Sequence, residues 1–234
     1  MKSHNSYLHA GAVLSAFSAL TTAILMYGPN APAADGFDAV QGLYQNGLYL
    51  YKKWILFLHP QFAFLAALAA GFTLFRDRAF LVVAALFYLG MWAFTEVSQQ
   101  AYIIDALNQM WRPAYLAADA ENRELWRTLI TGMNGISDSQ YFVVIFAFGV
   151  GTVLLGFAFT GRDALAMFLR YGMMAIGIMS LVAFLSYYAG LSRAGSTVGV
   201  WYGYIYGPLQ IAIRLGLALW LWRAASAAAH NQKA

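Results

Sequence analysis

The sequence contains no cysteine. A disulfide-stapled secreted fold, thiolate catalysis and cysteine–zinc sites are therefore excluded. Charge is scarce as well: only 10% of the 234 residues are Asp, Glu, Lys or Arg, against about 25% in soluble domains. Such a chain cannot cover a globular surface with charge, and its apolar content excludes disorder and collagen-like repeats. The formal net charge of +4 rests on fourteen Lys and Arg that are scattered along the chain. No basic patch exists to bind nucleic acid. What the chain does have is 61% hydrophobic residues, and the class that remains is a polytopic membrane protein.

A bilayer's hydrocarbon core, about 30 Å thick, takes roughly 20 apolar residues as a helix. Six segments meet this length, at about 8–27, 54–75, 79–102, 139–160, 164–188 and 201–223. Alternating ten-residue strands are absent, so a barrel is excluded and the spans read as helices. The expectation is all-α: one transmembrane bundle of six helices spanning residues 1–234. Lys2, the first apolar run and Ala31-Pro32-Ala33 resemble a signal peptide. The run is longer than an ordinary signal core, and it reads as a retained span.

Two tight turns, Arg76-Asp77-Arg78 and Gly161-Arg162-Asp163, share one side with Lys2, Arg223 and Lys233. The other side holds long connections rich in acids, from Asp35 and Asp38 to Asp119, Glu121, Glu124 and Asp138, with Lys52, Lys53, Arg112, Arg123, Arg127 and Arg193 among them. The basic turns place both termini in the cytoplasm. Gly28-Pro29-Asn30 should stop the first span. In the third loop, Asp119 is an N-cap, 120–133 reads as a helix, and Asn134-Gly135 should end it. Glu124 and Arg127 can pair on that helix, while Trp111 and Trp126 suit a helix lying at headgroup level.

Gly71-Phe72 before Arg76-Asp77 is echoed by Gly156-Phe157 before Arg162-Asp163, which reads as two duplicated hairpins. Phe148-Gly149-Val150-Gly151, Leu154-Leu155-Gly156-Phe157 and the turn with Arg162 are similar to a family of uncharacterised bacterial six-span integral membrane proteins. The resemblance covers spans four and five. It implies the architecture and a bacterial inner-membrane setting, and it carries no catalytic residue.

Ionisable groups inside a membrane are costly and point to function or to a partner. Glu96 is the acidic residue deep within a span, sharing a helical face with Trp92, Gln99, Gln100 and Ile103. His59 falls at similar depth on the preceding antiparallel span. With Gln61, Gln99, Gln100, Asp138 and Gln140 nearby, these residues outline a polar vestibule open to the outer side. A His–Glu pair there is either a proton relay, since imidazole titrates near neutrality, or a hydrogen bond that pins two helices. His59, Glu96 and Asp138 also form a candidate metal-ligand set.

On the sixth span, Gly203, Gly207, Gln210, Arg214 and Leu217 share a face, and Gly203–Gly207 has the small-xxx-small spacing of close helix contact. Measured from the span ends, Glu96 should lie about 14 Å in depth from Arg214, too far for a direct bridge, with Arg170 nearer. Arg170, Gln210 and Arg214 are thus a candidate contact for an anion or a lipid headgroup. The alternative is arginines snorkelling toward Asp77 or Asp163. Trp201, Tyr202, Tyr204 and Tyr206 are a candidate quinone or hydrophobic-ligand pocket. Histidines occur only at positions 4, 9, 59 and 230, which argues against bis-histidine haem. No HExxH, Walker loop or Gly-x-Ser-x-Gly turn is found.

Two functional readings follow, and neither fixes a cofactor. One is a non-enzymatic inner-membrane component, either an accessory subunit or a small-solute or lipid-handling protein with a vestibule at Glu96. The other is an intramembrane enzyme or redox subunit using His59 and Glu96. The lipid bilayer is the expected partner, beside a membrane protein or a second copy.

Overall fold

The computed structural model describes residues 3–189 and 202–230; Lys2, Arg193, Trp201 and Lys233 lie outside them. No strand occurs among the described residues. The long helices are α1 (Ser3–Tyr27), α3 (Gly47–Tyr102), α5 (Ala120–Ala158), α6 (Ala164–Tyr188) and α7 (Gly207–His230). Short elements join them: α2 (Phe37–Gln41), a 3-10 turn at Gly42–Gln45, π-helical segments Ile103–Trp111 and Tyr202–Tyr206, and α4 (Arg112–Ala117). Five helices are long and apolar enough to cross a membrane.

The chain's stop signals act where local chemistry demands. α1 ends where the Gly28 N–H bonds Ile24 O at 2.9 Å, a position at which a Cβ would sit 2.5 Å from that oxygen. Pro29 then prevents continuation. Asn46 caps α3 by accepting from the Tyr49 N–H at 3.0 Å, and Asp163 caps α6 by accepting from Leu165 and Ala166.

α3 is not one straight rod. At Arg78 its backbone leaves helical values (φ −143°, ψ 45°). Gly71 and Leu86 would stand about 22 Å apart on a straight helix, yet a Cβ on Gly71 would lie 2.9 Å from Leu86 Cδ1. The chain has folded back, giving a first limb before Arg78 and a second limb after it. The second hairpin breaks instead, between Ala158 and Asp163, and its arms meet where Gly156 faces Met174. The two expected hairpins therefore exist, built with different turns.

Counting the two limbs of α3 separately, the described residues form six helical rods, each antiparallel to the next. α1 meets the first limb at Gly11–Ala69 and Thr21–His59. The limbs meet at Gly71–Leu86 and Gly90–Phe64. The second limb meets α5 at Leu89–Gly151 and Gln99–Ser137, and α5 meets α6 at Gly149–Leu181 and Gly156–Met174. α6 meets α7 at Gly172–Ile213 and Ser180–Tyr206, and α7 returns to α1 at Gly207–Met26 and Leu221–Gly11. The ring is closed. At the end carrying the turns it tightens onto small buried residues, among them Ala69, Ala70, Ala85, Ala158 and Ala225. Small residues are how helices approach closely where lipid supplies no hydrophobic drive. The outer faces are apolar and bare, with Phe80 83% and Phe94 77% exposed. Such faces suit acyl chains rather than water.

The opposite end carries a cap. Leu107, Tyr115 and Ile130 form a small core against Phe37, Trp111 and Trp126. The Arg112 guanidinium is buried there, donating to Gln41, Tyr49 and Asn108 at 3.2, 2.8 and 2.7 Å. Asp38 accepts from the Tyr115 hydroxyl and from Arg127, and Glu124 pairs with Arg127 at 3.8 Å as expected. One expectation is corrected: the helix from Asp119 does not stop at Asn134-Gly135 but runs unbroken to Ala158. Burial of Ile130 and Met133, with the bond from Gln99 to Ser137, outweighs an interior glycine's cost of about 1 kcal/mol. Trp111 and Trp126 accordingly pack into the cap core.

Candidate functional site

Between the rods, near the cap-side half, lies a cavity of about 250 Å³ whose mainly apolar walls carry several polar and charged side chains. All six rods contribute: Thr22 from α1, His59 and Glu96 from the two limbs of α3, Tyr141 from α5, Ser180 from α6, and Arg214 from α7. Below it, toward the turn end, lies a smaller chamber of about 70 Å³ with mainly apolar walls such as Ala67, Leu89, Leu155 and Ile213. Trp92, Phe148, Gln210 and Arg214 border both.

Arg214 is buried. Its guanidinium donates to Ser18 Oγ and, at 3.0 Å, to Gln210 Oε1. The Arg214 carbonyl in turn accepts from Ser15 Oγ at 2.7 Å. α1 thus holds this residue by side chain and by backbone. No carboxylate forms an ion pair with it among the described residues. The side chain runs toward the N-terminus of its helix, as helical geometry directs, so it lies in the cavity and does not snorkel toward Asp77 or Asp163. Asp163 is already occupied as a cap.

Glu96 lines the cavity from the second limb, one turn after Trp92, which lines it too. In ring order the second limb and α7 are three rods apart in either direction. Glu96 and Arg214 therefore face one cavity from opposite walls. The expected separation in depth took Arg223 as level with Arg78. α7 instead continues to His230, and Trp222 meets His9 of α1 edge to face, 4.7 Å between ring centres. Arg214 is raised accordingly, and no direct ion pair joins it to Glu96.

His59 sits one rod from Glu96, its ring 6.3 Å from that of Trp92. Its hydrogen bond goes to Thr21 Oγ1, at 2.8 Å from Nδ1. That hydroxyl also lies 2.9 Å from Phe17 O and 3.0 Å from Ser18 O. A hydroxyl has one proton; given to a helix carbonyl, it leaves the oxygen accepting from Nδ1–H. Donation of that proton to a helix carbonyl favours the Nδ1–H tautomer of the neutral ring, in which Nε2 is an acceptor.

The other expected vestibule residues are elsewhere. Gln61 bonds its own helix at Phe57 O. Gln99 donates to Ser137, Gln100 is buried away from the cavity lining, and Asp138 is exposed. The trio His59, Glu96 and Asp138 is thus not assembled, and no group of His, Cys, Asp and Glu suited to a metal occurs among the described residues. Arg170 lines neither cavity with Arg214; its guanidinium stands over the Tyr171 ring at 5.6 Å. Of the aromatic set on the sixth span, Tyr206 joins the cavity and bonds Ser180 at 2.8 Å, while Tyr204 is exposed. Ser15, Ser18, Thr21 and Thr22 were not singled out from sequence, although their spacing of three and four places them on one face of α1.

Compared with protein-family models, curated proteins and solved structures, the chain matches none.

Proposed function

We propose that the chain is an integral membrane protein that crosses the bilayer six times and binds a small polar solute at the centre of its helical ring. Six crossings follow from counting the two limbs of α3 separately. The basic turns Arg76–Arg78 and Arg162 favour the cytoplasmic side of a bacterial inner membrane for that end, with the cap outside. One observation supports the solute reading above others: Glu96 and Arg214 face a shared cavity from opposite walls with no ion pair between them. Buried charges are ordinarily paired. A ligand that completes both is the arrangement's natural occupant, and at about 250 Å³ the space suits one smaller than the drug-sized ligands of ~300–1,000 Å³ pockets.

The cysteine-free chain gives a clean test. Cysteine placed at Thr22 or Ile145, on the cavity wall, should react with a small water-soluble thiol reagent, whereas cysteine at Phe80 or Phe94 should stay inert in the bilayer. Cysteines at Arg162 and Asp119 should be labelled from opposite membrane faces. Cavity positions as inert as Phe94 would overturn the solute cavity, and labelling of both loops from one face would overturn the six-span topology.

A further inference from the structure

The cavity walls are chemically polarised. Two adjacent rods, the limbs of α3, bring the Glu96 carboxylate and the His59 ring to the cavity; in the Nδ1–H tautomer that the Thr21 contact favours, His59 Nε2 is a second acceptor. The Trp92 ring lines the same cavity, 6.3 Å from the His59 ring and 5.0 Å from that of Phe148, and aromatic faces attract cations. The opposite rod presents Arg214. A guanidinium has five donors; two are spent on the neutral oxygens of Ser18 and Gln210, so the charge and three N–H groups remain for an anion. Arg fits a carboxylate by its paired N–H fork.

We infer that the solute is a small zwitterion of the α-amino acid type, its ammonium held by Glu96, His59 and the Trp92 face, and its carboxylate by Arg214. This rests on the solute-cavity reading above and names its ligand class. The overall charge of such a ligand is zero, as is the sum of the Glu96 and Arg214 charges, so entry leaves no net charge in the membrane. A lone anion would pair with Arg214 and leave Glu96 uncompensated; a lone cation would do the reverse. The smaller chamber specifies the remaining substituent. It opens beside Arg214 and Trp92 onto Ala67, Leu89, Leu155 and Ile213, a surface for a short aliphatic side chain and not for a second charge.

The test uses the full chain in lipid nanodiscs, titrated calorimetrically with glycine, L-valine and L-leucine, and with isobutylamine and isovalerate, which keep only the cationic or the anionic half of valine. L-Valine or L-leucine should bind more tightly than glycine, and each half-molecule at least about tenfold more weakly than valine. Glu96→Gln should weaken valine while tightening isovalerate, whose charge Glu96 no longer opposes. Arg214→Lys, which keeps charge but loses the fork, should weaken valine and leave isobutylamine unchanged. Isovalerate or isobutylamine binding as tightly as valine would overturn the zwitterion while leaving a solute cavity. Glycine binding more tightly than valine would overturn the aliphatic chamber. Heat from none of the five probes would overturn the ligand class, and the solute reading would then stand or fall on its own cysteine test.

Discussion

Thr21 on α1 holds Nδ1 of His59 on the first limb of α3 at 2.8 Å. This is a buried bond between two rods, and it sets which ring nitrogen faces the cavity. Thr21→Val keeps the shape and removes the acceptor, leaving a buried N–H unpaired, which costs about 1–3 kcal/mol. The unfolding midpoint in detergent should fall accordingly, and the nitrogen resonances of His59 should no longer report a single Nδ1–H tautomer. An unchanged tautomer in the valine variant would show that another group orients the ring.

Glycines make the close crossings, and they differ in what a methyl would meet. At Gly177 an added Cβ would come 2.7 Å from Gly149 O and 2.8 Å from Val153 N, both backbone atoms that cannot rotate away. Gly177→Ala should separate α5 from α6 and destabilise by about 1–3 kcal/mol, as overpacking does. Gly132, on the cap part of α5, has nothing within 4 Å, and Gly132→Ala should stabilise by about 0.5–1 kcal/mol through helix propensity. Thermal melts of the two variants should move in opposite directions.

Much of this architecture was legible because each cue acts over one turn of helix. α6 was expected at 164–188 and is found at Ala164–Tyr188, because Asp163 supplies a cap that needs no tertiary partner. The stop at Asn134-Gly135 failed for the converse reason: the bond from Gln99 to Ser137 comes from another rod, and no local pattern reveals it. In the site, His59, Glu96, Gln210 and Arg214 stood out as polar groups in apolar spans. Ser18, Thr21 and Thr22 did not, because such side chains are satisfied by their own helix, as Thr22 is by Ser18 O at 2.8 Å. The partners from other rods, Arg214 for Ser18 and His59 for Thr21, exist only once the ring closes. Helix-face arithmetic put Gln99 and Gln100 beside Glu96, but it cannot say which neighbouring rod each will face.

The cap is tied to the ring by Arg112, buried and bonded to Gln41, Tyr49 and Asn108. Its guanidinium also lies 5.2 Å from the centre of the Tyr49 ring. A lysine offers one point of charge where the site uses separate nitrogens in a plane. Arg112→Lys should therefore loosen the segment around Gln41 and α4 by about 1–3 kcal/mol, seen as faster amide exchange at Gln41 and Tyr115. Exchange within α6, outside the cap, should not change. Equal loosening of α6 would mean that cap and ring unfold as one unit.

Asp119 starts α5 as an exposed cap, accepting from the Asn122 backbone N–H at 2.9 Å and from its side-chain amide at 3.0 Å. These bonds favour the ionised carboxylate, the backbone one most, and hold the group below its ordinary range near 3.8. The carboxyl of the unfolded segment keeps that ordinary value, so protons bind it more readily than the folded cap. The cap's contribution is consequently complete above the ordinary carboxylate range and is lost as pH falls through the lowered folded value. Amide exchange at Asn122, corrected for its intrinsic acid dependence, should accelerate over that acidic interval. In Asp119→Asn the neutral side chain can still accept the backbone bond, and the corrected rate should not change with pH. A pH-independent wild type would mean that packing of the first turn against the cap, and not the carboxylate, holds the start of α5.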